Sequence, residues 1–127
     1  MRIYCVINRN VLELLNSQGG IESDVVENLT VFMQTRQWIA AQDETDSEVL
    51  DDEILQQAAE TGTKPGYLLV AEISDALVAE QNPANGLVQV NLPIRLKDVA
   101  AFFQVDENAE LSWFGPTELS VLLDLGQ

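Results

Sequence analysis

Two short apolar runs, Arg2 to Ile7 and Tyr67 to Ile73, constrain this chain more than any other feature. In the first, Ile3, Cys5 and Ile7 fall on one side of an extended backbone and Tyr4 and Val6 on the other. The second is apolar on both sides for most of its length. Successive side chains of a strand point to opposite faces. A run apolar on both faces needs cover above and below, which places it inside a sheet. The covering layers must come from the segments between the runs. The chain has 127 residues, 46% of them hydrophobic, enough for one domain that buries roughly two-thirds of its unfolded surface. The expected fold is therefore α+β: a single domain over residues 1–127, with a three- to five-stranded mixed sheet packed against several helices.

The remaining pattern fills in this outline. Val11 to Ser17 reads as a short helix with Leu12 and Leu15 inward, Asn10 as its cap and Gly19-Gly20 as its stop. Asp24 to Met33 is ambiguous, although Leu29, Val31 and Met33 alternate as in a strand. Thr35 can cap a helix through Ala41 with Trp38 and Ile39 inward. Ser47 to Thr61 is the clearest helix: Leu50, Ile54 and Ala58 recur every four residues, Asp46 or Ser47 caps it, and Gly62 ends it. Lys64-Pro65-Gly66 is a turn. Asp75 to Gln81 reads as strand or helical turn. Asn85-Gly86 punctuates before a strand over Leu87 to Ile94, with Val88, Val90 and Leu92 inward and Gln89 and Asn91 toward water. Leu96 to Ala100 reads as a helical turn and Ala101 to Val105 as a strand. Asn108 to Gln127 reads as one or two helices, interrupted near Gly115-Pro116, with Leu119, Leu122 and Leu123 buried.

Charge narrows the functions. Twenty-one acids face six bases, for a net charge of −15. The bases (Arg2, Arg9, Arg36, Lys64, Arg95 and Lys97) are scattered, whereas binding to nucleic acid or an anionic membrane requires them clustered. A basic protein partner is the association that the charge permits. The start of the chain lacks the pattern of a secretory signal, and no run approaches the roughly 18 apolar residues of a membrane span. The cytoplasm is the expected location.

Residue types exclude several chemistries. Histidine is absent and Cys5 is the one cysteine. Imidazole-dependent acid–base and nucleophile systems, structural zinc sites and internal disulfides are therefore excluded. Cys5 sits in an apolar run and reads as an inert core thiol. The dense acids Asp43, Glu44, Asp46, Glu48, Asp51, Asp52 and Glu53 invite a calcium test. An EF-hand loop needs glycine at its sixth position and a closing glutamate at its twelfth. A loop begun at Asp43 has Glu48 and Ile54 there, and one begun at Asp46 fails similarly. These acids read as the solvated start of a helix and as a candidate partner surface. No phosphate-binding glycine loop is present, and no cofactor is called for. Trp113-Phe114 reads as a pair of rings closing the core, with a partly exposed partner contact as the functional alternative.

Two stretches resemble a known family. The opening Met1-Arg2-Ile3-Tyr4 and the ending Trp113-Phe114-Gly115-Pro116-Thr117-Glu118-Leu119-Ser120-Val121-Leu122-Leu123 are similar to those of small acidic actinobacterial proteins of unknown function. These begin M-R-[VI]-Y and close with W-[YF]-x-x-[QT]-E-L-x-x-L-L. The resemblance implies a self-contained cytoplasmic domain and carries no activity. It marks Trp113, Phe114, Glu118 and Leu119 as a motif for docking the last helix, with Trp113 and Leu119 packed inward.

Three functions stay open. The favoured one is a non-catalytic interaction or regulatory module, with the acids from Asp43 to Glu53 facing a basic partner. The alternative is a carboxylate-based enzyme, possible with Mg²⁺ if two or three of Glu72, Asp98, Asp106 and Glu118 share a concave site. The third is a structural homo-oligomer such as a homodimer, whose marker would be an apolar patch or an unpaired strand edge.

Overall fold

A computed structural model describes residues 1–73 and 81–125. In chain order its elements are β1 (Arg2–Ile7), α1 (Arg9–Gln18), β2 (Gly20–Ile21), α2 (Ser23–Glu27), β3 (Thr30–Phe32), α3 (Arg36–Gln42), α4 (Ser47–Thr61), β4 (Gly66–Glu72), β5 (Leu87–Val88), β6 (Ile94–Arg95), β7 (Val99–Val105), β8 (Leu111–Phe114) and α5 (Leu119–Leu125). Single 3₁₀ turns at Leu96–Asp98 and Pro116–Glu118 lead into β7 and α5. The expectation for Asp75 to Gln81 falls, up to residue 80, outside the described residues.

The two apolar runs lie side by side at the centre of the main sheet, as their composition demands. Its order is β5-β3-β1-β4-β7-β8, and each of these pairs is antiparallel. A small antiparallel pair, β2 with β6, stands apart. The α+β class holds. The main sheet has six strands rather than three to five, and its pairings are antiparallel rather than mixed. The extra width comes from β8, a short edge strand that periodicity alone did not mark.

Each face of the sheet has its own core. On one, Ile3, Cys5, Leu69 and Phe102 pack with Val11, Leu12 and Leu15 of α1 and with Leu119, Leu122 and Leu123 of α5. On the other, Tyr4, Leu68 and Val70 pack with Trp38 of α3 and with Leu50, Ile54, Ala58 and Ala59 of α4. The alternation read from β1 therefore divides two hydrophobic layers. Cys5 is fully buried, and burial pushes its thiol up to about 12. Almost no thiolate exists at pH 8. A chromogenic disulfide reagent should label the denatured chain at once and the native protein only as fast as it opens. Rapid, complete labelling of the native protein would contradict this.

Several local expectations change. The cap of α1 is Asn8, not Asn10: its side chain accepts from the Val11 amide at 3.0 Å. The ambiguous Asp24 to Met33 divides into helix and then strand. Gly62 does end α4, but in an extended rather than a left-handed conformation (φ −82°). Glycine is required there because a Cβ would lie 2.6 Å from Val6 Cγ1. The expected strand over Leu87 to Ile94 shortens to β5 and β6. Gln81 occupies the ladder groups of Gln89, accepting from its amide and donating to its carbonyl, both at 2.8 Å, and Pro93 has no N–H to offer. Val88 and Val90 are nonetheless buried and Gln89 and Asn91 exposed, as the alternation requires.

The largest change is at the end of the chain. Leu111–Phe114 is a strand, not helix, and it forms a hairpin with β7. Asp106 builds the turn: its carboxylate accepts from the Asn108 and Glu110 amides, and its carbonyl accepts from the Ala109 amide. Ala109 completes it in the left-handed region (φ 63°), where glycine is usual.

Candidate functional site

Aromatic, cationic and acidic side chains meet in a groove on the α4 side of the sheet, and a mismatch of lengths creates it. Helix α4 lies chiefly over β1, β4 and β3, whereas the sheet continues outward through β7 to β8. The overhang leaves a trough of about 200 Å³. Asp51 and Leu55 form its helical wall, Val70, Ala101 and Phe103 its floor, and Trp113 its outer rim.

Trp113 is 61% exposed, so the expectation that it packs inward is corrected. The reason is strand alternation. Phe114 turns to the α1–α5 face and is partly buried there. Trp113 pairs with Phe103 on the other face, beyond the cover of α4. Its ring rests over Gly115, where a Cβ would lie 3.2 Å from the indole Cη2. The rest of the motif is structural. Glu118 accepts from the Gly115 amide at 2.9 Å, fixing the approach to α5, and Leu119 is buried.

The inner end of the groove is held by hydrogen bonds. Tyr4 on β1 donates its hydroxyl to Asp51 Oδ1 at 2.9 Å, and Gln34 Nε2 donates to the same oxygen at 2.7 Å. Burial first, and then the bond to Asp51, raise the Tyr4 phenol above its ordinary value, so it stays a donor across the physiological range. Asp51 Oδ2 has no protein donor among the described residues. Arg2, two positions before Tyr4, stands at the mouth with its guanidinium bonded to Glu72 at 2.7 Å. Tyr4 and Asp51 also border a second depression of about 180 Å³, toward Met33 and Gln34.

The seven acids of the candidate surface separate by role. Asp43 ends α3 with a left-handed backbone (φ 52°). Glu44 accepts from the Thr45 and Asp46 amides, and Asp46 caps α4 through the Glu48 amide. Asp51 is committed to Tyr4 and Gln34. Glu48, Asp52 and Glu53 are exposed, and their carboxylates have no hydrogen bond or ion pair among the described residues. Helical spacing sets Glu48 and Asp52 beside Asp51 and Leu55, on the groove side of α4.

None of Glu72, Asp98, Asp106 and Glu118 lines the groove. Among the described residues no three His, Cys, Asp or Glu side chains gather as a metal ion would require, and no helix is long and apolar enough to cross a membrane. The sequence named Trp113 and Asp51 but gave no sign that they share a site. It missed Tyr4, Gln34 and Phe103 as groove residues. The one signal for Tyr4 was a polar tip in an otherwise apolar strand, which when buried needs a partner.

Fold and groove together define an α+β domain with an aromatic-rimmed trough at the edge of its sheet, in which one acid, Asp51, and one base, Arg2, take part. Compared with known proteins, the chain matches no family model, no curated protein and no solved structure.

Proposed function

We propose that this protein is a non-catalytic interaction module whose groove takes up a basic segment of a protein partner. The observation that carries the reading is the exposed indole of Trp113 across the groove from the Asp51 wall of α4, beside which helical spacing sets the carboxylates of Glu48 and Asp52. A lysine or arginine side chain satisfies both at once. Its cation meets the π face of the indole and the uncommitted carboxylates Glu48 and Asp52, and its methylene stem covers Phe103 and Ala101. Tryptophan is among the residues enriched as energetic anchors of protein interfaces. The net charge of −15 steers cationic partners toward the protein and repels polyanions. A cytoplasmic setting and membership of the small acidic actinobacterial family belong to the same proposal and add no chemistry to it.

A fluorescein-labelled peptide of alternating lysine and valine is a direct probe. Binding followed by anisotropy should weaken about tenfold between low and physiological salt. The double reversal Glu48→Lys, Asp52→Lys should abolish it. Reversing the exposed acids Glu22 and Glu27, at the ends of α2, changes net charge equally and should cost much less. Equal losses from the two reversals would show general charge attraction and defeat the proposal.

A further inference from the structure

The two edges of the main sheet are managed differently. Strand β5 is two residues long, and Gln81 blocks the ladder groups just beyond it. Strand β8 is twice as long and carries no lysine, no proline and no charged side chain between Leu111 and Phe114. The direction of its open groups follows from the hairpin. The Asp106 amide donates to the Glu110 carbonyl at 3.0 Å, which makes that pair a hydrogen-bonded one. Pairing alternates along an antiparallel ladder. Ser112 and Phe114 therefore turn their backbone groups toward β7, and Leu111 and Trp113 turn theirs outward. The strand offers two N–H and two C=O groups in the spacing that another strand needs, next to the rim of the groove.

Resting on the interaction reading above, we infer that the basic segment binds in extended form, as an antiparallel seventh strand on β8. Geometry links the two sites. Residues opposite Leu111 and Trp113 in the new ladder share their face of the sheet, which is the α4 face. In an alternating segment the cationic residues occupy those positions and reach across Trp113 toward Glu48 and Asp52. The intervening residues lie on the α1–α5 face beside Phe114 and are apolar. Charge decides against a second copy as the occupant. Edge-to-edge pairing of two chains brings together two molecules of net charge −15, and Glu107 and Glu110 at the hairpin are exposed.

Backbone methylation tests this without altering the protein. Residues opposite Leu111 and Trp113 direct their N–H groups at β8, and their neighbours direct theirs away. The lysine–valine peptide methylated on its lysine nitrogens should bind at least about tenfold more weakly than the parent, through lost hydrogen bonds and methyl groups driven into the strand. The peptide methylated on its valine nitrogens should stay within about threefold of the parent. Equal effects of the two methylations, with the parent still bound in a salt-dependent way, would overturn strand addition and leave the interaction reading standing. Loss confined to the valine-methylated peptide would overturn the antiparallel orientation. A parent peptide that fails to bind at all would remove both readings. Sedimentation showing a stable dimer that excludes the peptide from β8 would assign the edge to a second copy and overturn the inference.

Discussion

Trp38→Ala should lower the unfolding free energy by about 3–5 kcal/mol, at the top of the range for core truncations. Stability for a domain of this size is typically 5–15 kcal/mol, so much of it would disappear. A fall in Tm on the order of 15 °C is the corresponding shift. Trp38 is 1% exposed and joins three parts of the fold. Its amide is capped by Thr35, whose hydroxyl in turn donates to the Pro83 carbonyl at 2.7 Å. Its indole N–H donates to Gln57 of α4 at 2.9 Å. Gly86 packs against the ring so closely that a Cβ there would stand 3.1 Å from Cδ1. Removing the indole leaves a cavity among α3, α4 and the turn before β5, none of which can collapse without losing other hydrogen bonds. Urea unfolding followed by far-UV circular dichroism measures the change. A loss under 1 kcal/mol would mean that the ring does not hold these parts together.

Trp113→Ala should do the reverse: leave the fold nearly unchanged and remove the proposed binding. The side chain is mostly exposed, opposite Phe103 in the ladder and over Gly115. Cross-strand pairs contribute roughly 0.2–1 kcal/mol, which bounds the stability loss. Interface tryptophans typically cost 2 kcal/mol or more on truncation, so affinity for the lysine–valine peptide should fall about thirtyfold or more. The two tryptophans thus separate stability from recognition. Titration of the variant by anisotropy, beside its urea curve, gives both numbers. Unchanged peptide affinity in a stable Trp113→Ala protein would place the binding surface elsewhere.

Legibility followed the range of the interactions. The central strands were readable because burial on both faces forces an apolar run, and Ser47–Thr61 because its stripe and its cap agree. The β7–β8 hairpin was not. Its turn, Asp106-Glu107-Asn108-Ala109, puts alanine where glycine normally signals the left-handed residue, and four residues are too few for periodicity to show. The acids were visible as a run, but the run did not reveal that Asp51 is bonded to Tyr4 while Glu48 and Asp52 are left uncommitted.

The sequence by itself determined the class of the fold, its two-sided core, the cap at Thr35 and the exclusion of imidazole chemistry. Each of these depends on residue type or on spacing within one element. Only the tertiary structure decided that the sheet outruns α4, and hence that Trp113 lies outside while Phe114 lies inside. That outcome depends on which strands pair and how far one helix reaches across them, and both are set by contacts between residues distant along the chain.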